Sequence, residues 1–142
     1  MNILGLNVSK RIAGETILDK DGKILCCEVF DTRNKNKFPT LYHKSAYIRD
    51  SLINLKEKYD ISDIYIEESL QSFRSGFSSA RTLSTLSKIN GIVSYLVYDI
   101  FGTTPELISV ARARKTCGIK VAKGAKAKEV VLEFLLDSEP DF

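Results

Sequence analysis

At 142 residues the chain suits one domain with an adequate core, and its 44% hydrophobic and 27% charged residues exclude an ordinary disordered polymer. No apolar run approaches the ~20 residues that span a bilayer, and no basic region precedes the first apolar residues. A membrane protein and a secreted precursor are therefore not expected, and the chain reads as cytoplasmic. The net charge of +3 decides little, but its distribution is uneven. Between Ala111 and Lys128 stand Arg112, Arg114, Lys115, Lys120, Lys123, Lys126 and Lys128, with no acidic residue among them. A run of one sign with Gly118 and Gly124 inside it suits a phosphate backbone; a solvated face is the plainer alternative.

The chain opens with a strand over 2–8, apolar after Asn2 except for Asn7 and interrupted by Gly5. A second strand is predicted over 12–19 and a third over 23–30, joined by a hairpin at Asp21-Gly22, where glycine accepts the positive φ of such turns. A polar loop from Arg33 to Thr40 contains Pro39. Ile48, Leu52, Leu55 and Tyr59 then recur at helical spacing, which predicts a helix over 41–59. A fourth strand, 63–68, ends in Glu67-Glu68. Ser78 or Ser79 can cap a long helix that reaches about residue 100, with Leu83, Leu86, Val93 and Leu96 on its inner side and Gly102 as its stop. A fifth strand over 106–110, a short helix over 111–117 and a last helix over 125–136 complete the set.

Three hairpin-connected strands followed by strand–helix–strand make an α/β pattern. A right-handed crossover would place the fourth strand parallel to the first, with Asn7 and Glu67 on neighbouring strands at one sheet edge. An acid at the end of a buried strand, followed by the polar turn Ser69-Leu70-Gln71-Ser72-Phe73-Arg74-Ser75-Gly76, has the character of a metal-binding catalytic edge. Glu67 is the first candidate ligand. Glu68 points to the other face by alternation and suits a surface ion pair. The three cysteines fit no metal spacing and are expected as buried, reduced thiols. His43, the single histidine, is expected at the surface.

Three segments carry a resemblance: Leu4-Gly5-Leu6-Asn7-Val8-Ser9, Tyr65-Ile66-Glu67, and Gly124 with Lys128 and Val131 opening the last helix. In this order they resemble the RuvC-like Holliday-junction resolvases of the RNase H-like superfamily. The run from Glu67 to Gly91, including Asn90, looks like a phage branch of that family. The resemblance implies one RNase H-like nuclease domain over 1–142. Its fold would be a mixed five-stranded sheet, three antiparallel strands and then parallel ones, flanked by helices.

It further implies a structure-selective endonuclease acting on branched DNA such as four-way junctions, with Mg²⁺ (Mn²⁺ as substitute), acting as a homodimer. The apolar side of helix 79–100 would form the dimer surface. Asn7 and Glu67 would hold metal, and Lys128 would face the scissile phosphate. Arg74, Arg112, Arg114, Lys115, Lys120, Lys123 and Lys126 would contact DNA, with Phe73 and Phe77 as candidate wedges at a branch.

Two departures stand out. Position 7 is Asn where the family has Asp, and no acidic helix follows Lys128 at the family's distance, since Asp137 and Asp141 come too soon. An impaired nuclease is therefore expected, with a non-catalytic DNA-binding module as the alternative. An actin-like ATPase is disfavoured because no second glycine-rich phosphate hairpin is present.

Overall fold

The computed structural model describes residues 1–9, 11–68 and 80–139. Among these, five strands form one mixed sheet: β1 (Asn2–Asn7), β2 (Ile12–Leu18), β3 (Ile24–Asp31), β4 (Ile61–Glu67) and β5 (Glu106–Ile108), in the order β3-β2-β1-β4-β5. The first three pair antiparallel, while β4 and β5 run parallel to β1, as the sequence predicts. The helices are α1 (Leu41–Lys58), α2 (Ala80–Phe101), α3 (Val110–Cys117) and α4 (Ala127–Ser138). The arrangement is an RNase H-like fold. No described helix is long and apolar enough to cross a membrane.

Strand alternation sets the two faces of the sheet. Leu4 and Leu6 of β1, Ala13 and Ile17 of β2, Phe30 of β3, and Ile64 and Ile66 of β4 are all buried on one face. Against them pack Ile48, Leu52 and Leu55 of α1 and Ile89, Val93 and Val97 of α2. The stripe predicted for α1 is thus correct, with Tyr59 just past the helix end and packed on the core. Thr40 caps α1 by accepting a hydrogen bond from the His43 backbone N–H at 3.3 Å. His43 is exposed as expected, its ring nitrogen Nδ1 2.6 Å from the Thr40 hydroxyl.

The inner side of α2 is the expected one, with its fully buried stretch shifted toward the C-terminal half. Val93 is buried and Leu96 packs beside the core, but Ile89, Asn90 and Val97 fill the buried positions, and Leu83 and Leu86 are only half-buried. This side is used within the chain, which removes it as the expected dimer surface. The exposed large hydrophobic side chains of α2 are Tyr95 and Tyr98. The last turn of α2 has no basic residue of its own; Lys56 of α1 instead donates from Nζ to the Ile100 carbonyl at 2.8 Å.

The β2–β3 connection is set by Asp19, whose carboxylate accepts from the Asp21 and Lys23 backbone N–H groups at 2.9 Å each, while Gly22 takes φ +86°. Several boundaries shift by a few residues: β5 is three residues long and α4 starts at Ala127. The cysteines correct the expectation more firmly. They are free thiols, but Cys27 and Cys117 are exposed and Cys26 is half-buried. Cys27 alternates onto the sheet face opposite α1 and α2, where its sulfur lies 3.6 Å from the Thr16 hydroxyl.

The sequence gives no warning of Glu15. It lies between Ala13 and Ile17 on the buried side of β2, is 2% exposed, and has one carboxylate oxygen, Oε2, without a partner. It stands directly opposite Glu28 on β3. Burial, then the negative field of Glu28 and a hydrogen bond between the two carboxyls, push the Glu15 carboxyl up to about 7, with Lys58 opposing. The folded chain therefore keeps a proton that the unfolded chain releases above the ordinary Glu pKa. Stability falls as the pH rises through this window toward 7. Glu15→Gln is expected to exceed the native chain in stability at pH 8 by on the order of 3 kcal/mol, with the gap closing by pH 4. Urea denaturation across this range checks it; a constant gap would contradict the raised pKa.

Candidate active site

The parallel register of β1 and β4 pairs Leu4 with Ile64, Gly5 with Tyr65 and Leu6 with Ile66. Continuing it by one residue sets Asn7 beside Glu67 at the carboxyl ends of adjacent strands. Leu6 and Ile66 point into the core, so Asn7 and Glu67 share the opposite face. On the other side of β1, Asn7 pairs with Gly14. Asn7 is exposed and Glu67 half-buried. The expected juxtaposition is present.

Two elements fix the backbone at this edge. The buried side chain of Asn90, on α2, donates from Nδ2 to the Glu67 carbonyl at 3.1 Å. The Glu68 N–H donates to the Ile108 carbonyl of β5 at 2.8 Å. Glu68 itself is half-buried, and no described residue forms the surface ion pair expected for it. In the sequence Asn90 is marked only by the resemblance; its anchoring role depends on a contact with a residue 23 positions away.

Burial raises the Glu67 carboxyl above its ordinary value, and the positive field of Arg114 partly offsets this. Arg114 comes from α3, whose start is fixed by Ser109 accepting from the Arg112 N–H and whose end is fixed by Gly118 at φ +74°. Arg114 is half-buried, and its Nε is buried with no partner. The sequence places Arg114 only in a basic run; the fold turns it toward Glu67. Lys128, expected to face the scissile phosphate, is exposed in the first turn of α4, and none of the described ion pairs joins it to Glu67.

The rest of the basic segment is open to solvent. Lys115, Lys120, Lys123 and Lys126 are exposed. Arg112 lies 3.8 Å from Glu106, and Lys126 lies 3.8 Å from Glu129. Such exposed pairs contribute little and can be exchanged for a phosphate. Arg74, Phe73 and Phe77 lie outside the described residues, as do the candidate caps Ser78 and Ser79 and the carboxylate of Asp141.

The Mg²⁺ pair implied by the resemblance does not fit the described residues at this edge. Clustered carboxylates are needed, and here one carboxylate faces a neutral amide with a guanidinium nearby. The one described group of three close metal-capable side chains is Glu15, Cys26 and Glu28, which belongs to the face that α1 covers.

Asn90→Ala is expected to cost about 1–3 kcal/mol, because it leaves the Glu67 carbonyl without its buried donor; chemical denaturation measures it. Arg114→Ala should move the Glu67 carboxyl further up, since the guanidinium is what lowers it. Side-chain carboxyl NMR reads this directly, and an unmoved or lowered value would separate the two residues.

No protein-family model matches the chain, and no curated protein matches it in sequence. Solved structures do match its fold. Thermus thermophilus RuvC in complex with a Holliday junction substrate aligns with TM-score 0.71 at 14% identity, over 95% of this chain and 76% of that one. A second Thermus thermophilus RuvC structure gives 0.66 at 15% identity, over 95% and 78%. The yeast mitochondrial Holliday junction resolvase gives 0.53 at 18% identity, over 95% and 60%. The chain therefore has the fold of RuvC.

Proposed function

We propose that this chain is a branched-DNA endonuclease of the Holliday-junction resolvase type in which cleavage is impaired and junction binding is retained. The observation that carries this is the register that sets Asn7 beside Glu67 at the carboxyl ends of β1 and β4, on a fold whose structural neighbours include a RuvC bound to a junction. The rest of the proposal follows the resemblance: one domain over 1–142, a phage-type branch, a homodimer that meets two symmetric strands, and action in a bacterial host's cytoplasm.

In this reading the basic segment grips the DNA. Arg114 offers an unpartnered donor beside the sheet edge, and Lys115, Lys120, Lys123 and Lys126 extend positive charge away from it. Arg74 and Arg112 would add contacts, and Lys128 would approach the phosphate. Glu67 is the one group at the edge suited to act as ligand or base, with Asn7 holding the shape of a second ligand without its charge. Mg²⁺ or Mn²⁺ would supply the electrophile in a fully competent relative; the residues described here do not make that pair.

A second reading, a DNA-binding module without catalysis, is favoured by one observation. The guanidinium of Arg114 supplies positive charge close to Glu67, where a resident cation would otherwise be needed. The two readings part at position 7. Under the first, Asn7→Asp increases nicking of a four-way junction about tenfold or more in Mg²⁺ or Mn²⁺. Under the second, the variant stays inactive.

Binding is tested separately. Lys120→Ala with Lys123→Ala should weaken junction binding for all sequences alike. The log–log salt slope should fall by about 0.9 for each phosphate that is no longer neutralised. Unchanged affinity and slope would show the basic segment to be a solvated face.

A further inference from the structure

The proposed function makes no use of the side chains gathered where β2 and β3 meet the end of α1. The ligand atoms of Glu15, Cys26 and Glu28 lie within 4.8 Å of one another. The register explains why. Glu15 stands opposite Glu28 and Ile17 opposite Cys26, so all three side chains fall on the same face of the hairpin. This is the core face, opposite the one that carries Asn7 and Glu67.

A second observation points into this cluster. Glu15 is 2% exposed, yet its Oε2 has no partner. A buried oxygen in this condition is costly, and an apolar residue would serve the core better unless something fills the position. The surroundings leave a route in, since Glu28 is exposed and Cys26 only half-buried. Tyr59, just beyond α1, shares a hydrogen bond with Cys26 and can hold the sulfur in place. Lys58 contributes a positive field and no ion pair to the cluster.

We propose that Glu15, Cys26 and Glu28 form a site for a borderline-soft divalent cation of the Zn²⁺ kind. The donor set selects the ion. A thiolate with two carboxylates does not suit Mg²⁺ or Ca²⁺, which take oxygen ligands. Zn²⁺ accepts sulfur at ~2.3 Å and carboxylate oxygen at ~2.0–2.2 Å in a tetrahedron, whose corners lie roughly 3.5 Å apart. Rotation of the two less buried side chains, Cys26 and Glu28, closes the remaining gap. Water would complete the four ligands. The bound ion would give the unpartnered Glu15 oxygen its counterpart and brace the β2–β3 hairpin beneath α1.

The test uses the whole chain with Zn²⁺, and Co²⁺ as spectroscopic stand-in. Zn²⁺ should raise the melting temperature in a concentration-dependent way, and Co²⁺ should give the near-ultraviolet band of a thiolate ligand. Cys26→Ser should abolish the band and weaken Zn²⁺ binding about tenfold or more, and Glu28→Gln should weaken it similarly. Both positions lie outside the fully buried core, so these variants fold even if Glu15→Gln repacks. Cys27→Ser, on the opposite sheet face, and Glu67→Gln should leave the band and the melting shift unchanged. This separates the site from the candidate active edge. The proposal is overturned if the native chain shows neither band nor shift, or if the band survives Cys26→Ser.

Discussion

Everything at the candidate active edge depends on the parallel pairing of β1 with β4. Four residue pairs, from Ile3 with Asp63 to Leu6 with Ile66, lock two apolar strands in one register. A slip of one residue would exchange core and open faces, driving Leu6 or Ile66 out and a polar side chain in. Burial of Leu4, Leu6, Ile64 and Ile66 under α1 and α2 forbids that slip. The position of Asn7 beside Glu67 is thus a by-product of packing several residues earlier. Chemistry at the edge can vary without touching what holds it.

The two faces of the sheet consequently have different characters. One is closed by α1 and α2 and contains a misfit among its described core residues, the Glu15 carboxyl. The other leaves Asn7 exposed and Glu67 half-buried within the field of Arg114. Charge is costly on the first face unless something compensates it, and tolerated on the second, where water reaches the groups.

Much of this was legible from the sequence, for physical reasons that also mark the limits. β1 and β4 each carry a short apolar run, Ile3 to Leu6 and Ile64 to Ile66, ending at a polar residue, so their pairing and the placing of Asn7 and Glu67 followed from crossover handedness. α1 showed its stripe because its outer face is polar. α2 shows its inner side too, since Leu83, Leu86, Val93 and Leu96 lie on the same side as Ile89, Asn90 and Val97; spacing alone does not tell which of them are fully buried. Glu15 escaped because a charged residue in a strand is ordinarily read as facing water; only the cross-strand register turns it inward. The exposure of Cys27 followed from the same alternation, which residue type alone does not reveal. The approach of Arg114 to Glu67 depends on how α3 leaves β5, which no local spacing encodes.

The bond from Lys56 to the Ile100 carbonyl has a mechanical consequence. It joins the last turn of α1 to the last turn of α2, while Asn90 joins the middle of α2 to the end of β4. The helix layer is therefore braced at two levels, one at the site edge and one at the far end. Sliding α1 and α2 past each other along their axes breaks the charge-assisted bond, and sliding α2 along β4 breaks the amide bond, so both helices are tied to one registration at a cost beyond that of their apolar contacts.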